Sequence, residues 1–330
     1  MQSTETQANP TTASGSAPLI EAKDLKVHFP VHGGVLRRKT GQVKAVDGVS
    51  LSVGEGELIS IVGESGCGKS TLGNALLGQV NVPSGALRLD GQEIDLSRAS
   101  SWQPYRKDFQ IIFQDPYTSL NPRHTIYEII SEPLLVHGLC DKSEAADRVA
   151  GLLQKVGLSP DYMSRYPHAF SGGQRQRINI ARAIALPPRV IVADEIVAAL
   201  DVSIQAQIIN LLLELKADLG LSLLFISHDL SLVRSISDRT YVMYLGRIAE
   251  AGETLFERPR HPYTRALLDS IPTLDRTRRP ALLEGEVPSP MNPPEGCAFH
   301  TRCKLAQDRC HAERPELDPT TSCACWFPLD

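Results

Sequence analysis

Gly63-Glu64-Ser65-Gly66-Cys67-Gly68-Lys69-Ser70 stands between an apolar, strand-like run, Glu57 to Val62, and a stretch of helix formers, Ser70 to Leu77. The pattern is G-x-x-x-x-G-K-S in a strand–loop–helix setting. Glycines at these positions let successive backbone N–H groups curve around phosphate oxygens, and the helix that opens at the end of the loop adds partial positive charge. Lys69 is suited to the β- and γ-phosphates of a nucleotide, and the Ser70 hydroxyl to Mg²⁺. A purely structural glycine-rich turn is the alternative, and the flanking strand and helix argue against it.

Outward from the loop, strand-like and helix-like segments alternate. Leu19 to Phe29 and Val43 to Val53 read as strands, with Val31 to Gln42 as a hairpin loop carrying Gly33, Gly34 and the basic run Arg37-Arg38-Lys39. Leu87 to Leu89 and Phe109 to Phe113 are shorter strands. Between about Pro116 and Gln174 the texture turns helical, with helices over Thr125 to Val136 and Ser143 to Val156 and another starting near Ser171. Strand and helix then alternate again through Val190 to Ala193, Val202 to Leu219 and Leu223 to Ile226. Such alternation around apolar runs predicts an α/β fold, a mostly parallel sheet flanked by helices. Past Glu257 prolines become frequent and the chain reads as a loop-rich tail. The expected organisation is a disordered tail over 1–18, a nucleotide-binding domain over 19–256 with a helical insertion at about 116–175, and a C-terminal extension over 257–330.

Composition narrows the function. A net charge of -4 offers no basic face for nucleic acid. No apolar run approaches the ~20 residues of a membrane-spanning helix. Met1 to Pro18 lacks the basic start and apolar stretch of a secretory signal. The chain is therefore expected in the cytoplasm, with any membrane contact made through a partner. Of the seven cysteines, Cys297, Cys303, Cys310, Cys323 and Cys325 crowd together near the C-terminus. In a reducing compartment such a cluster points to metal rather than disulfides.

The second chemical motif is Val190-Ile191-Val192-Ala193-Asp194-Glu195, an apolar strand ending in two carboxylates. Asp194 is suited to the Mg²⁺ shell and Glu195 to orienting or deprotonating the attacking water. Upstream of it lies Ser171-Gly172-Gly173-Gln174, opening a helix that continues Arg175-Gln176-Arg177. This tetrapeptide resembles the ABC signature, and with the phosphate loop, the acidic strand end, Gln114 and His228 in family order, the chain resembles the ATP-binding subunits of ABC transporters. The resemblance implies the ABC ATPase core of the phosphate-loop fold, with an antiparallel β subdomain and an inserted helical subdomain. It also implies ATP and Mg²⁺ as cofactors. Gly63, Ser65, Gly66, Cys67, Gly68, Lys69, Ser70 and Thr71 would bind ATP, with Phe29 stacking on adenine, although a core phenylalanine is the plainer reading of Phe29. Gln114 would help hold Mg²⁺ and sense the γ-phosphate, and His228 would contact it. Two such subunits sandwich two ATP molecules, so Ser171, Gly172, Gly173, Gln174 and Asp201 would complete a partner's site.

Within the family, Phe113-Gln114-Asp115-Pro116 through Ser119-Leu120-Asn121-Pro122 is similar to the oligopeptide and dipeptide importers. So are Arg165-Tyr166-Pro167-His168, Met243-Tyr244-Leu245-Gly246, the run His261 to Leu268, and Gly285 to Pro290. This implies a second, related ATPase chain, two transmembrane permeases and an extracytoplasmic solute-binding protein as partners, at the cytoplasmic face of the inner membrane. The segment Gln114 to Ile130 would meet a permease. Members of the subfamily carry four cysteines in this pattern, implying a [4Fe–4S] cluster, or alternatively zinc, on Cys297, Cys303, Cys310 and Cys325. Cys323 is a competing fourth ligand, and unliganded thiols are a third reading. One departure stands out. After Glu195 the family usually has proline and then Ser-Ala-Leu-Asp, whereas this chain has Ile196, Val197, Ala198, Ala199, Leu200 and Asp201. The competing functions are a soluble, non-transport ABC ATPase and a regulatory ATP-binding subunit with weak turnover.

Overall fold

A computed structural model describes residues 17–33, 38–271 and 283–330. In chain order the strands are β1 (Ile20–Gly33), β2 (Arg38–Val53), β3 (Leu58–Val62), β4 (Ser84–Leu89), β5 (Gln92–Ile94), β6 (Phe109–Ile112), β7 (Val190–Asp194), β8 (Ser222–Ser227), β9 (Arg239–Tyr244) and β10 (Arg247–Gly252). The helices are α1 (Lys69–Leu76), α2 (Ile126–Val136), α3 (Ala145–Lys155), α4 (Gly172–Ala183), α5 (Val202–Leu219), α6 (Leu230–Ile236), α7 (Pro262–Asp269) and α8 (Asp308–Ala312). The chain divides into two compact units. The predicted tail lies outside the described residues up to residue 16, as do 34–37 and 272–282.

The first unit takes the chain to Gly54, then 58–97 and 227–330. Its antiparallel sheet runs β2-β1-β4-β5, and β3 pairs parallel with β9, which pairs antiparallel with β10. All five side chains of β3 are buried, as an apolar strand covered on both faces requires. Inside this unit Arg239 donates to the Ser52 carbonyl at 2.8 Å, tying β9 to the end of β2. Asp47 accepts from Arg247 at 2.9 Å and from the His28 ring at 3.1 Å, linking β1, β2 and β10. The hairpin differs from expectation. β1 continues past Phe29 to Gly33 and β2 starts at Arg38, because Pro30, Val31 and His32 pair with Gln42, Gly41 and Lys39. The tail after β10 is also more ordered than its prolines predict. Pro262 takes the first position of α7, where its missing N–H costs nothing, and His261 caps the helix by accepting the Tyr263 N–H at 3.0 Å.

The second unit holds 55–57 and 98–226. Here β6, β7 and β8 pair in parallel, and β7 and β8 are almost wholly buried. Helix α2 begins with a capping box in which Thr125 and Glu128 satisfy each other's backbone N–H groups. Helix α5 covers the predicted span. It follows Asp201, and Gly220 ends it at φ 65°, a left-handed conformation that costs glycine little.

Candidate nucleotide site and cysteine module

In the first unit, the loop 63–70 runs from β3 into α1. Its last glycine, Gly68, sits at φ 109°, and a Cβ there would run into the carbonyl oxygen of Ala45. Only glycine fits that turn. Lys69 is 4% exposed, and its ammonium donates to the carbonyls of Gly63 at 2.8 Å and Glu64 at 3.0 Å, so it lies back across the loop that would hold the phosphates. Ser70 is exposed at the start of α1, with Thr71 half-buried behind it. Cys67 is buried, and burial pushes its thiol up from the ordinary value, which keeps it neutral and unreactive. Its side chain fills space beside Gly63. Phe29 lies within β1 opposite Val43 and is 42% exposed, an open apolar face rather than a core one. His228 is exposed just after β8, and the next residue, Asp229, caps α6 by accepting the Ser231 and Leu232 N–H groups. Nothing in the sequence flags the holding of Glu64, whose carboxylate is gripped by Arg302 and whose N–H is bound by the Tyr263 hydroxyl.

In the second unit, Asp194 is the last residue of β7, and Glu195 follows at φ 46°. A left-handed backbone at a non-glycine residue is uncommon and clusters at functional sites. The Glu195 N–H donates to the Ile226 carbonyl at 2.9 Å, which fixes the turn. Gln114, two residues beyond the end of β6, donates its side-chain NH₂ to the Glu195 carboxylate at 3.0 Å. Thus two residues 81 apart in sequence meet in one hydrogen bond. Ile196 and Val197 are 1% and 4% exposed and anchor the chain in apolar surroundings, while Ala198 is exposed. The signature is a helix start. Ser171 caps α4, its hydroxyl accepting the Gln174 N–H and the Gln174 side chain accepting the Ser171 N–H. A Cβ at Gly173 would stand 2.6 Å from Cγ2 of Ile204, so glycine is needed for α4 to approach α5. Asp201, ahead of α5, is exposed.

Back in the first unit, Cys297, Cys303, Cys310 and Cys325 line one cavity of about 10 Å³, together with His261, Phe299, His300 and Trp326. Cys323 does not line it. That residue is 1% exposed and pairs by its backbone with Glu250, so Cys325 is the fourth thiol of the group. Burial, and the neighbouring Cys297, Cys303 and Cys310, push the Cys325 thiol up to about 11. Burial likewise raises Cys297 and Cys303. As the side chains stand, no group of three or more His, Cys, Asp or Glu among the described residues is arranged to hold a metal ion. Nor is any described helix long and apolar enough to cross a membrane.

Comparison with known proteins agrees with this geometry. The ABC transporter family matches residues 46–198, and the oligopeptide/dipeptide transporter C-terminal region matches residues 250–310. The oligopeptide transport ATP-binding protein AppF of Bacillus subtilis is 50% identical over 93% of this chain and 95% of its own length. The dipeptide transport ATP-binding protein DppF of Escherichia coli is 48% identical over 91% of each. Among solved structures, cbiO1 from Clostridium perfringens, part of an ABC transporter complex, superposes with a TM-score of 0.62 at 28% identity over 73% of this chain and 90% of its own. The dimeric ATP-binding cassette MJ0796 bound to ADP and Pi gives 0.63 at 26% identity over 71% and 98%. With identity of this extent over nearly its whole length, the chain belongs to the ATP-hydrolysing subunits of the ABC transporter family, in the branch that carries the oligopeptide/dipeptide transporter C-terminal region.

Proposed function

We propose that this ATPase powers the import of di- or oligopeptides, or related solutes, through two membrane-embedded permeases fed by an extracytoplasmic binding protein. The observation that carries the catalytic part is the Glu195 carboxylate, held at a left-handed turn with the Gln114 amide on it at 3.0 Å. A carboxylate fixed in this way can orient and deprotonate the water that attacks the γ-phosphate. Lys69 and the loop N–H groups bind the phosphates, Ser70, Gln114 and Asp194 complete the Mg²⁺ shell, His228 contacts the γ-phosphate, and the exposed ring of Phe29 stacks on adenine. Ser171 and Gly173, at the start of α4, serve the nucleotide of a second ATPase subunit, with Asp201 at the same interface. A related chain fits that second position, giving a heterodimer at the cytoplasmic face of the membrane.

The permease contact falls on Gln114 to Ile130. Tyr117 there is 61% exposed and Phe113, just ahead of the segment, 37%, and the Arg175 guanidinium sits over the Tyr117 ring at 4.0 Å. Exposed aromatics next to a residue that contacts the catalytic carboxylate suit a surface that transmits the ATP cycle. Purification of the tagged chain from its native membranes is the test. Co-recovery of two polytopic permeases, a second ATPase and a solute-binding protein is expected, and recovery of ribosomal or DNA-associated proteins alone would overturn the transport reading.

The four thiols of the C-terminal module have the donor chemistry of a [4Fe–4S] cluster or a zinc ion. The cavity they line is only about 10 Å³ and the side chains as they stand are not arranged around an ion, so binding of either group requires the thiols to turn. Bound there, either group would cross-link Cys297, Cys303, Cys310 and Cys325 and so stabilise a tail with few apolar residues of its own. Metal analysis with an absorption spectrum of anaerobically purified protein separates iron–sulfur from zinc, and metal-free protein of unchanged stability would refute both.

A further inference from the structure

We propose that Arg302, seconded by Tyr263, is a positioning residue for the phosphate loop, so that the C-terminal module sets the affinity for nucleotide. Arg302 forks onto Glu64, Nη1 to Oε2 at 2.6 Å and Nη2 to Oε1 at 3.0 Å. Its side chain is only 3% exposed, against 25% for Glu64. A bidentate guanidinium–carboxylate pair removed from water fixes direction as well as distance. The guanidinium is itself held. It donates to the Tyr244 hydroxyl at 3.4 Å and, through Nε, to the Glu284 carbonyl at 3.3 Å.

The same residue of the loop is gripped a second time. The Glu64 N–H donates to the hydroxyl of Tyr263, a fully buried side chain of α7, at 3.0 Å. Its carbonyl accepts from the Lys69 ammonium at 3.0 Å and from the Cys67 N–H at 3.3 Å. Every polar group of Glu64 is therefore engaged: two of them by the C-terminal module and one by the lysine that binds phosphate. Tyr263, Tyr244 and Phe299 pack ring against ring, with centroids 4.6 to 5.4 Å apart, behind these bonds. Arg302 also sits on a short turn between Cys297 and Cys303, closed by the His300 N–H on the Cys297 carbonyl at 3.0 Å and the Cys303 N–H on the His300 carbonyl at 3.3 Å. The curvature of the loop where phosphates would lie is thus set from both ends, by α1 on one side and by the cysteine module on the other.

A tail that merely docks would affect stability alone, whereas a positioning role affects nucleotide binding. The proposal rests on the reading of residues 63–70 as the nucleotide loop, and the experiment separates the two. The dissociation constant for a fluorescent ATP analogue is measured on the full chain for Arg302→Ala, Arg302→Lys, Glu64→Ala, Tyr263→Phe, Lys69→Ala and the Glu64→Ala/Arg302→Ala pair, with thermal unfolding recorded for each. Arg302→Ala is expected to weaken binding about tenfold, Arg302→Lys to recover part of it through one retained bond, and the double variant to be no worse than the poorer single one. Tyr263→Phe keeps the packed ring, so it remains informative if Arg302→Ala does not fold, and it is expected to weaken binding several-fold. Unchanged affinity in folded Arg302→Ala and Tyr263→Phe would overturn the proposal while leaving the nucleotide site standing. Undiminished binding by Lys69→Ala would instead overturn the loop's role and the proposal with it.

Discussion

Gly173→Ala tests the signature helix, because geometry assigns the change a steric cost separable from its effect on catalysis. An added Cβ would stand 2.6 Å from Ile204 Cγ2 and 3.9 Å from Ile204 Cβ. Carbon atoms pack at about 3.5 to 4.0 Å, so roughly 1 Å must be yielded. Ile204 cannot yield it by turning, since a β-branched side chain in a helix is confined to one χ1 rotamer. Helix α5 must move relative to α4, an overpacking cost of about 1 to 3 kcal/mol. Alanine's better helix propensity offsets up to ~1 kcal/mol of this. A double-mutant cycle removes that offset, which is the same in both backgrounds. Ile204→Ala deletes the obstructing methyl group, so Gly173→Ala made on top of it should cost about 1 kcal/mol or more less than in the parent. Urea denaturation of the four proteins, followed by circular dichroism, gives the coupling. ATPase activity gives the second readout and should stay low in Gly173→Ala even where Ile204→Ala has restored stability, if the first turn of α4 serves the partner's nucleotide as proposed. An equal cost in both backgrounds would refute the steric argument, and full activity in the relieved double variant would refute the role of Gly173 toward nucleotide.

Three further outcomes are expected. Glu195→Gln should bind ATP with nearly unchanged affinity and lose turnover, in a steady-state phosphate-release assay on the assembled transporter; full activity in that variant would remove Glu195 from the chemistry. Burial raises the Asp47 carboxyl, but hydrogen bonds and charge from Arg247, with a further bond from His28, outweigh it and hold the group below its ordinary 3.8. The folded state thus binds this proton less readily than the unfolded chain, so the stabilisation is present above about pH 4 and is lost as pH falls through the folded value. Asp47→Asn should flatten the acid side of the stability–pH curve, and an unaltered curve would deny Asp47 that role. Thr125→Ala, which removes one half of the capping box of α2, should cost about 1 kcal/mol in chemical denaturation, and no change would mean that the cap is dispensable.

The parts legible in the sequence are those settled by neighbours along the chain. The phosphate loop, the start of α4 at Ser171 and the full span of α5 each depend on glycines, caps and periodicity within a few residues, and all three lie where the pattern puts them. Reading failed where a signal had two uses. Gly33, Gly34 and the basic run spread the predicted loop over Val31 to Gln42, yet pairing across β1 and β2 carries the strands through most of it. Helix α7 was hidden because its cap is a histidine and its first residue a proline inside a proline-rich stretch. The sequence left Cys323 competing with Cys325 for the fourth place, and the structure fixes Cys323 against β10 through a backbone bridge to Glu250, away from the cavity that Cys325 lines.

The grip on Glu64 was beyond reach for a different reason. Its partners are 199 and 238 residues away, and no periodicity or cap spans such a distance. Glu64 occupies one of the variable positions of G-x-x-x-x-G-K-S. The invariant positions meet requirements common to every phosphate loop, namely a left-handed turn at Gly68, a cation at Lys69 and a hydroxyl at Ser70. A variable position is free of those requirements and so can be used for a contact specific to one chain. In this protein that freedom connects the loop to Arg302 and Tyr263 in the C-terminal module, which is the part of the molecule where this branch differs from a bare ATPase cassette.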